Sequence, residues 1–253
     1  MLDKFRDLHQ GEDFAVIGSA PSALLFKRNE TKAIGVNGAG KLLQSDDYFI
    51  SGDEATHTRS WFKGLDSDVH CILRPHTAIY SEKFYPNKKL REDMIRVYET
   101  YMDKNPNITH FKKGQGLRCI LPGNEFIDYY FSKIPEPAKN HYLIRKVTSD
   151  EPVSKYQTSI NVGGTSACMA VQVAFIMGAK NIHLYGVEFS NEITSGEEYK
   201  GSNYFYKPEE NETGMTLPSQ RVFLDDIIKQ VINKGVPVYS HGPTKLKETI
   251  KLL

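Results

Sequence analysis

Four short stretches of this chain carry residue types that hold phosphates and riboses: Gly18-Ser19-Ala20-Pro21-Ser22, Asn37-Gly38-Ala39-Gly40, Gly52-Asp53-Glu54-Ala55-Thr56-His57 and Gly163-Gly164-Thr165-Ser166. Small side chains let a ligand approach the backbone. The amides that open a helix carry about half a positive charge, which suits an anion. Ser19, Ser22, Thr165 and Ser166 add hydroxyls, and the Asn37 amide can donate to and accept from a base or a ribose. Each stretch also has a plain alternative, since Ser22 can cap a helix and Asn37 can close a turn with nothing bound. Several helix starts of this kind in one chain favour an anionic ligand more than any one of them does. The spacing matches neither the dinucleotide fingerprint nor a P-loop.

Acidic and aromatic residues stand near these stretches. Asp53, Glu54 and His57 can hold Mg²⁺ through carboxylate oxygens, bind a ribose hydroxyl, or form a solvated turn. Glu188, closing HLYGVE, is a candidate acid, base or hydroxyl acceptor, or simply a polar end to a strand. Tyr199, Tyr204, Phe205 and Tyr206 can stack on a sugar or hydrogen-bond a phosphate, and they can equally pin their loop to the protein body. His183 falls inside a strand and reads as a core residue with its hydrogen bonds satisfied. His241 follows the last strand and can reach the same edge.

These groups act together only if the fold carries them to one place. FAVIGS, TKAIGVN, DDYFISGD and VHCILRP read as strands, alternating with short helical segments SALLFKR, GAGKLLQ and ATHTRSWFKGL, which favours a parallel α/β sheet. Ligands of such sheets bind outside the carboxyl ends of the strands, so the GSAPS, NGAG and GDEATH tips can share one edge. VGGTSACMAVQVAFIMGAK reads as a buried helix feeding the strand NIHLYG, with its first amides exposed at 163–166. The chain closes with a helix (RVFLDDIIKQVINKG), a strand (VPVYS) and a short terminal helix. Residues 75–158 read as an inserted helical and loop subdomain, with helices over KKLREDMIRVYETYMDK and around GNEFIDYYFSKI. Residues 190–220 form a polar loop too long for a connector, a lid or acceptor loop. One Rossmann-like domain over 1–253 is expected, its mostly parallel sheet flanked by helices.

Composition narrows the partners. A chain of 253 residues, 40% hydrophobic and 25% charged, with a formal net charge of +1, has the make-up of an ordinary globule and no charge excess for a large polyanion. Nucleic acid is disfavoured. Cys71, Cys119 and Cys168 are widely spaced and outside any metal-ligand pattern, which argues against a disulfide framework or a zinc site. The N-terminus lacks the apolar core of a secretory signal, and no run reaches the length of a membrane span. A cytoplasmic protein is expected, with peripheral association to the inner membrane left open. Homo-oligomers are compatible with the sequence.

The order of IGSAPS, IGVNGAG, GGTSACMAVQVAFIMGAKNIHLYGVEFS and GVPVYSHGPTKL resembles the bacterial sialyltransferases of glycosyltransferase family 42. It is also similar to the related group of motility accessory factors and archaeal 6-hydroxymethylpterin diphosphokinase-like proteins. The likeness spans roughly half the chain, is most specific over 163–190, and leaves out 75–158. It implies that Gly18, Ser19, Ala20, Pro21 and Ser22 cradle the phosphate and ribose of a nucleotide. It also puts Asn37 near the nucleoside, Thr165 and Ser166 near the phosphate or sugar, and Glu188 at the acidic strand end. Gly52 and Gly164, on the same tips, join them as nucleotide-binding positions. The sialyltransferases carry a His before the final long helix, where this chain has GMTLPSQR, and an Arg before Thr-Ser, where it has Gly163-Gly164. Their Tyr after the acidic strand end is here Ser190, with Tyr204 or Tyr206 as the substitute. Asp53 matches the pterin kinase-like group, which transfers a diphosphoryl group with Mg²⁺. The leading expectation is a glycosyltransferase-like enzyme that moves a sugar from a nucleotide sugar, a CMP-linked acidic sugar favoured, to a saccharide, glycoconjugate or protein acceptor, with Glu188 or Asp53 as base. The alternatives are a Mg-dependent diphosphokinase acting on a small heterocycle and a nucleotide-binding protein without catalysis.

Overall fold

The computed structural model describes residues 2–28, 31–104, 134–137, 140–145, 147–148, 151–189, 204–207 and 218–252. The apolar runs of the N-terminal part form β1 (Asp13–Ile17), β2 (Lys32–Val36), β3 (Tyr48–Ser51) and β4 (His70–Leu73). Their residues are buried almost throughout, the mark of a parallel sheet covered on both faces. Four more strands extend the sheet: β5 (His141–Leu143), β8 (Asn181–Tyr185), β9 (Val238–His241) and β10 (Ile250–Leu252). β6 (Val147–Thr148) and β7 (Ile160–Asn161) pair separately.

The strand order is β10-β9-β8-β1-β2-β3-β4-β5, with every pair parallel. The chain therefore builds outward from β1 in one direction and later returns to β1's other edge through β8. That reversal is the topological switch point, where open α/β sheets leave a crevice at the carboxyl ends of their strands. The fold is the α/β Rossmann-like one expected from the sequence.

One face of the sheet is covered by α4 (Ser166–Ile176) and α5 (Pro218–Asn233), the other, over β2–β4, by α1 (Ser60–Lys63), α2 (Pro75–Ala78) and α3 (Lys88–Lys104). α4 is apolar all round because it is enclosed all round: residues 167–176 are buried between the sheet, α5 and the β7 strap. Its carbonyls at the C-terminal end are taken by the N-terminal segment, with Asp7 N donating to Ile176 O and His9 N to Met177 O, both at 2.9 Å. Helix ends need such outside partners. The one polar residue in its middle, Gln172, is fully buried and satisfied: its Oε1 accepts from Asn161 N and Gln157 Nε2 (both 3.0 Å), and its Nε2 donates to Asn161 O (2.6 Å) and Cys168 O (2.8 Å).

Segment 75–158 supplies α3, as expected, but also β5, which joins the main sheet beside β4. A three-residue strand is too short to show periodicity in the sequence. The helix expected around GNEFIDYYFSKI lies, except for its last residue, outside the described residues. The chain does not end in the expected helix. Asp225 Oδ1 of α5 accepts the amides of Lys247 (2.8 Å) and Glu248 (3.4 Å), and Thr244 Oγ1 accepts that of Leu246 (3.2 Å), so the segment stays extended and runs into β10. Among the described residues no helix is long and apolar enough to cross a membrane.

Two imidazoles, one half-buried and one buried, give the fold an acid limit. His141 stacks on Phe84 (4.2 Å between centroids) with Nδ1 buried and, among the described residues, unpartnered, and burial, helped by the Lys83 charge, lowers its pKa to about 4. His76, wholly buried, is lowered well below its ordinary value by burial first and the Arg74 charge second. The unfolded chain takes up these protons near pH 6.5 and the folded chain does not, so this contribution is full above about pH 6.5 and is lost as pH falls toward 4. Replacing His141 by Phe keeps the stack and removes the orphan nitrogen. The expected result is a shallower decline of the urea midpoint between pH 6.5 and pH 4; a decline as steep as that of the native protein contradicts this assignment.

Candidate functional site

At the switch point two loops meet backbone to backbone. Gly18 N donates to Tyr185 O (2.7 Å) and Ala20 N to Gly186 O (3.1 Å). A Cβ on Gly18 would run into the Gly186 carbonyl. Gly186 has φ +65°, and a Cβ there would stand 2.8 Å from both Ala23 Cβ and Gly18 O. Only glycine meets both demands. Side chains then lock the contact: Ser22 N donates to Glu188 Oε1 (2.7 Å), and Gly186 N donates to Ser22 Oγ (3.0 Å). The segment after β9 is fastened to the same place, with Lys245 N on Glu188 O (3.0 Å) and Thr244 Oγ1 on Val187 O (2.9 Å).

The GSAPS turn therefore spends part of its donor set internally. The amides of Ala20 and Ser22 are engaged, and Glu188, a buried carboxylate, holds the turn that Pro21 opens as a 3-10 helix (Pro21–Leu25). Ser19 is different. Its hydroxyl oxygen is buried with no hydrogen-bond partner among the described residues, while its carbonyl accepts from Phe205 N (3.0 Å). A buried hydroxyl left unmatched costs about 1–3 kcal/mol, so such an atom marks a place where a further polar group belongs.

One strand over, Asn37 has φ 52° and opens a 3-10 turn (Asn37–Leu42), leaving its side chain half-buried at the sheet edge. Gly38 has no room for a Cβ because the Tyr206 ring lies on it. Tyr204 stacks on Tyr206 (5.0 Å, 8° between planes), and Lys41 Nζ sits 5.0 Å from the Tyr206 ring centre. Residues 204–207 thus lie across the tips of β1 and β2, where a lid belongs. The rest of 190–217 falls outside the described residues.

The tip of β3 meets the start of α4. Gly52 N faces Ser166 Oγ at 3.5 Å, and Thr165 caps the helix by accepting from Ala167 N (3.3 Å). The Ser166 amide, at the first helical position, has no intrahelical acceptor. Behind it the glycine turn is braced: Gly163 N donates to Asn161 Oδ1 (3.2 Å), and Gln220 Nε2 donates to Gly164 O (2.7 Å). Asp53 is exposed and caps its own turn by accepting from Ala55 N (3.1 Å), while His57 stacks on Tyr80 (5.4 Å). Among the described residues no group of three or more His, Cys, Asp or Glu stands close enough to hold a metal.

The tip of β4 completes this rim, a place the sequence alone marks only faintly. Thr77 Oγ1 donates to Asp53 O (3.1 Å), the buried His76 hydrogen-bonds the Gly52 backbone, and the Arg74 side chain packs on Gly52, its Cδ 3.2 Å from where a Cβ would stand. The signal was present in LRPHTA, a cation and a helix-opening Pro directly after a strand. Gly18–Ser22, Asn37, Gly52–Asp53, Gly164–Ser166, Glu188 and Tyr204 all come to the carboxyl edge of one sheet. Of these, Ser22 and Glu188 are bound to each other, while Asp53 and Tyr204 lie on the rim.

If Glu188 holds the turn, its acceptor oxygen matters more than its charge. Glu188→Ala leaves the Ser22 amide buried and unmatched, and the expected loss is about 1–3 kcal/mol of unfolding free energy. Glu188→Gln, which keeps an acceptor, is expected to lose less. Equal losses for the two variants in urea titrations would show that charge, and not the hydrogen bond, is what counts. No family model, no curated protein and no solved structure matches this chain.

Proposed function

We propose that the chain is a glycosyltransferase-like enzyme that takes a nucleotide sugar, a CMP-linked acidic sugar favoured, and passes the sugar to a saccharide, glycoconjugate or protein acceptor. One observation carries the reading: at the switch edge a buried hydroxyl without a partner among the described residues, Ser19 Oγ, stands among strand tips that also bring the start of α4 and an aromatic strap to the same rim. The likeness of the four quoted segments to family 42 supports the donor class.

In this scheme Ser19, the Ser166 amide and the Thr165 and Ser166 hydroxyls stabilise the departing phosphate as its charge develops. Gly18, Ala20, Pro21 and Ser22 shape the turn. Gly52 and Gly164 let the ligand approach the backbone, and Asn37 reads the nucleoside. Glu188 keeps the turn in place through Ser22, so the acceptor hydroxyl gives its proton to the Asp53 carboxylate on the rim, with Tyr204 as a hydrogen-bond donor beside it. The proposal places the enzyme in the cytoplasm, free or peripheral to the inner membrane, acting as a monomer or homo-oligomer.

The exposed Asp53 carboxylate favours a second reading, Mg-dependent diphosphoryl transfer from ATP to a small heterocycle, in which it would hold the cation through oxygen. A panel of nucleotide sugars and ATP with Mg²⁺, followed by thermal shift and by release of free nucleotide, separates the readings. The expected outcome is a rise in Tm with CMP-sugars, CMP release in the presence of a saccharide, and weaker binding in Ser19→Ala. Turnover of ATP that stops in EDTA supports the second reading, and binding without turnover supports a non-catalytic nucleotide-binding protein. A chain stabilised by none of these ligands has no nucleotide site at this edge.

A further inference from the structure

The face of β8 and β9 opposite α4 and α5 carries an ordered row of rings. Strand register sets His183 beside Tyr239 and Tyr185 beside His241. Each pair is stacked, at 5.1 Å and 17° for the first and 4.2 Å and 14° for the second. Across the diagonal, His183 Nδ1 faces His241 Nε2 at 3.0 Å. On the far side of the His183 ring, Nε2 lies 4.0 Å from Asp13 Oδ2, and Asp13 Oδ1 accepts from Asn181 Nδ2 at 2.7 Å. The sequence suggests a core residue at His183. The structure shows instead a half-buried imidazole whose orientation is fixed from three sides.

We propose that His183 and His241 are a chelating pair for a divalent ion of borderline softness, Zn²⁺, Ni²⁺ or Cu²⁺, with the Asp13 charge behind His183. Imidazole is a preferred ligand of these ions. Two ring nitrogens each bound at about 2.0–2.1 Å to one ion stand roughly 3 Å apart when they occupy neighbouring positions, so the pair already has a ligand spacing. A carboxylate behind the second nitrogen is the usual outer partner of a metal-bound histidine. At 4.0 Å Asp13 Oδ2 stands beyond hydrogen-bond reach of Nε2 and acts on the ring through its charge.

Without metal, one of the two rings donates to the other across the 3.0 Å contact. Binding needs the donating ring to move its proton to its other nitrogen, a tautomer change with no net proton loss, and the His241 ring to swing so that both lone pairs meet on the ion. With the side chain of His183 still 22% exposed, the remaining coordination positions open to water or to an added ligand. This site lies on the sheet face and does not depend on the nucleotide reading.

The test uses the untagged full chain. Cu²⁺ is added and its EPR spectrum read for nitrogen couplings, and Zn²⁺ is titrated by calorimetry. The expected result is one tightly held ion per chain with two imidazole nitrogens. His183→Ala and His241→Ala should each weaken binding at least tenfold. His241→Gln, close in size, gives the same reading if the alanine variants fold poorly by circular dichroism, and the nitrogen count on the native chain needs no variant. A spectrum without two equivalent nitrogens, or unchanged affinity and stoichiometry in the double variant, overturns the proposal.

Discussion

The contact on which the rest depends is the approach of two backbones, Gly18 against Gly186, at the carboxyl ends of β1 and β8. It joins the two halves of the sheet where their connections part in opposite directions. Neither glycine can gain a side chain without moving main chain. The pairing of Ser22 with Glu188 then fixes the turn that follows, so the position of Ser19, the orphan hydroxyl, is decided by residues more than 160 positions downstream. A phosphate-sized ligand at this edge would meet a surface shaped by packing before it arrives.

α4 plays the matching part on the other side of the rim. Its apolar sides anchor it to the sheet, the N-terminal segment takes up its last carbonyls, and Gln172 ties it to the β7 strap. That strap in turn places Asn161, which accepts from Gly163 and so sets the glycine turn ahead of Thr165 and Ser166. The open amide of the helix is thus held by a chain of satisfied polar contacts that runs through the core. Buried polar groups that find all their partners specify one arrangement and exclude others.

Much of this was legible in the amino-acid order. FAVIGS, TKAIGVN and NIHLYG are apolar over strand length and end in small or polar residues, and those are physical signals of buried parallel strands with tips at one edge. The long apolar run after Gly164 announced a buried helix for the same reason. What the sequence could not show was pairing across distance. Glu188 reads as a free acid until the Ser22 amide is seen against it, and His183 reads as core until β9 is laid beside β8. β5 was missed because three residues carry no period, and the C-terminal strand because the groups that hold it extended belong to Asp225, one helix earlier. The unassigned rim residues Arg74, His76 and Thr77 act through Gly52 and Asp53, a neighbour relation that exists only once β3 and β4 are paired.

The central place of β1 also bears on how the chain comes to be folded. One of its neighbours, β2, is made within a few residues, but the other, β8, leaves the ribosome only after Asp13 has waited for Asn181, 168 positions later. Until β8 is made, the apolar strand β1 presents an unpaired edge. Such edges recruit other strands, and distant partners are slow to arrive. Between the making of β1 and that of β8 the chain therefore carries an edge open to wrong partners, and the arrival of one late strand closes it.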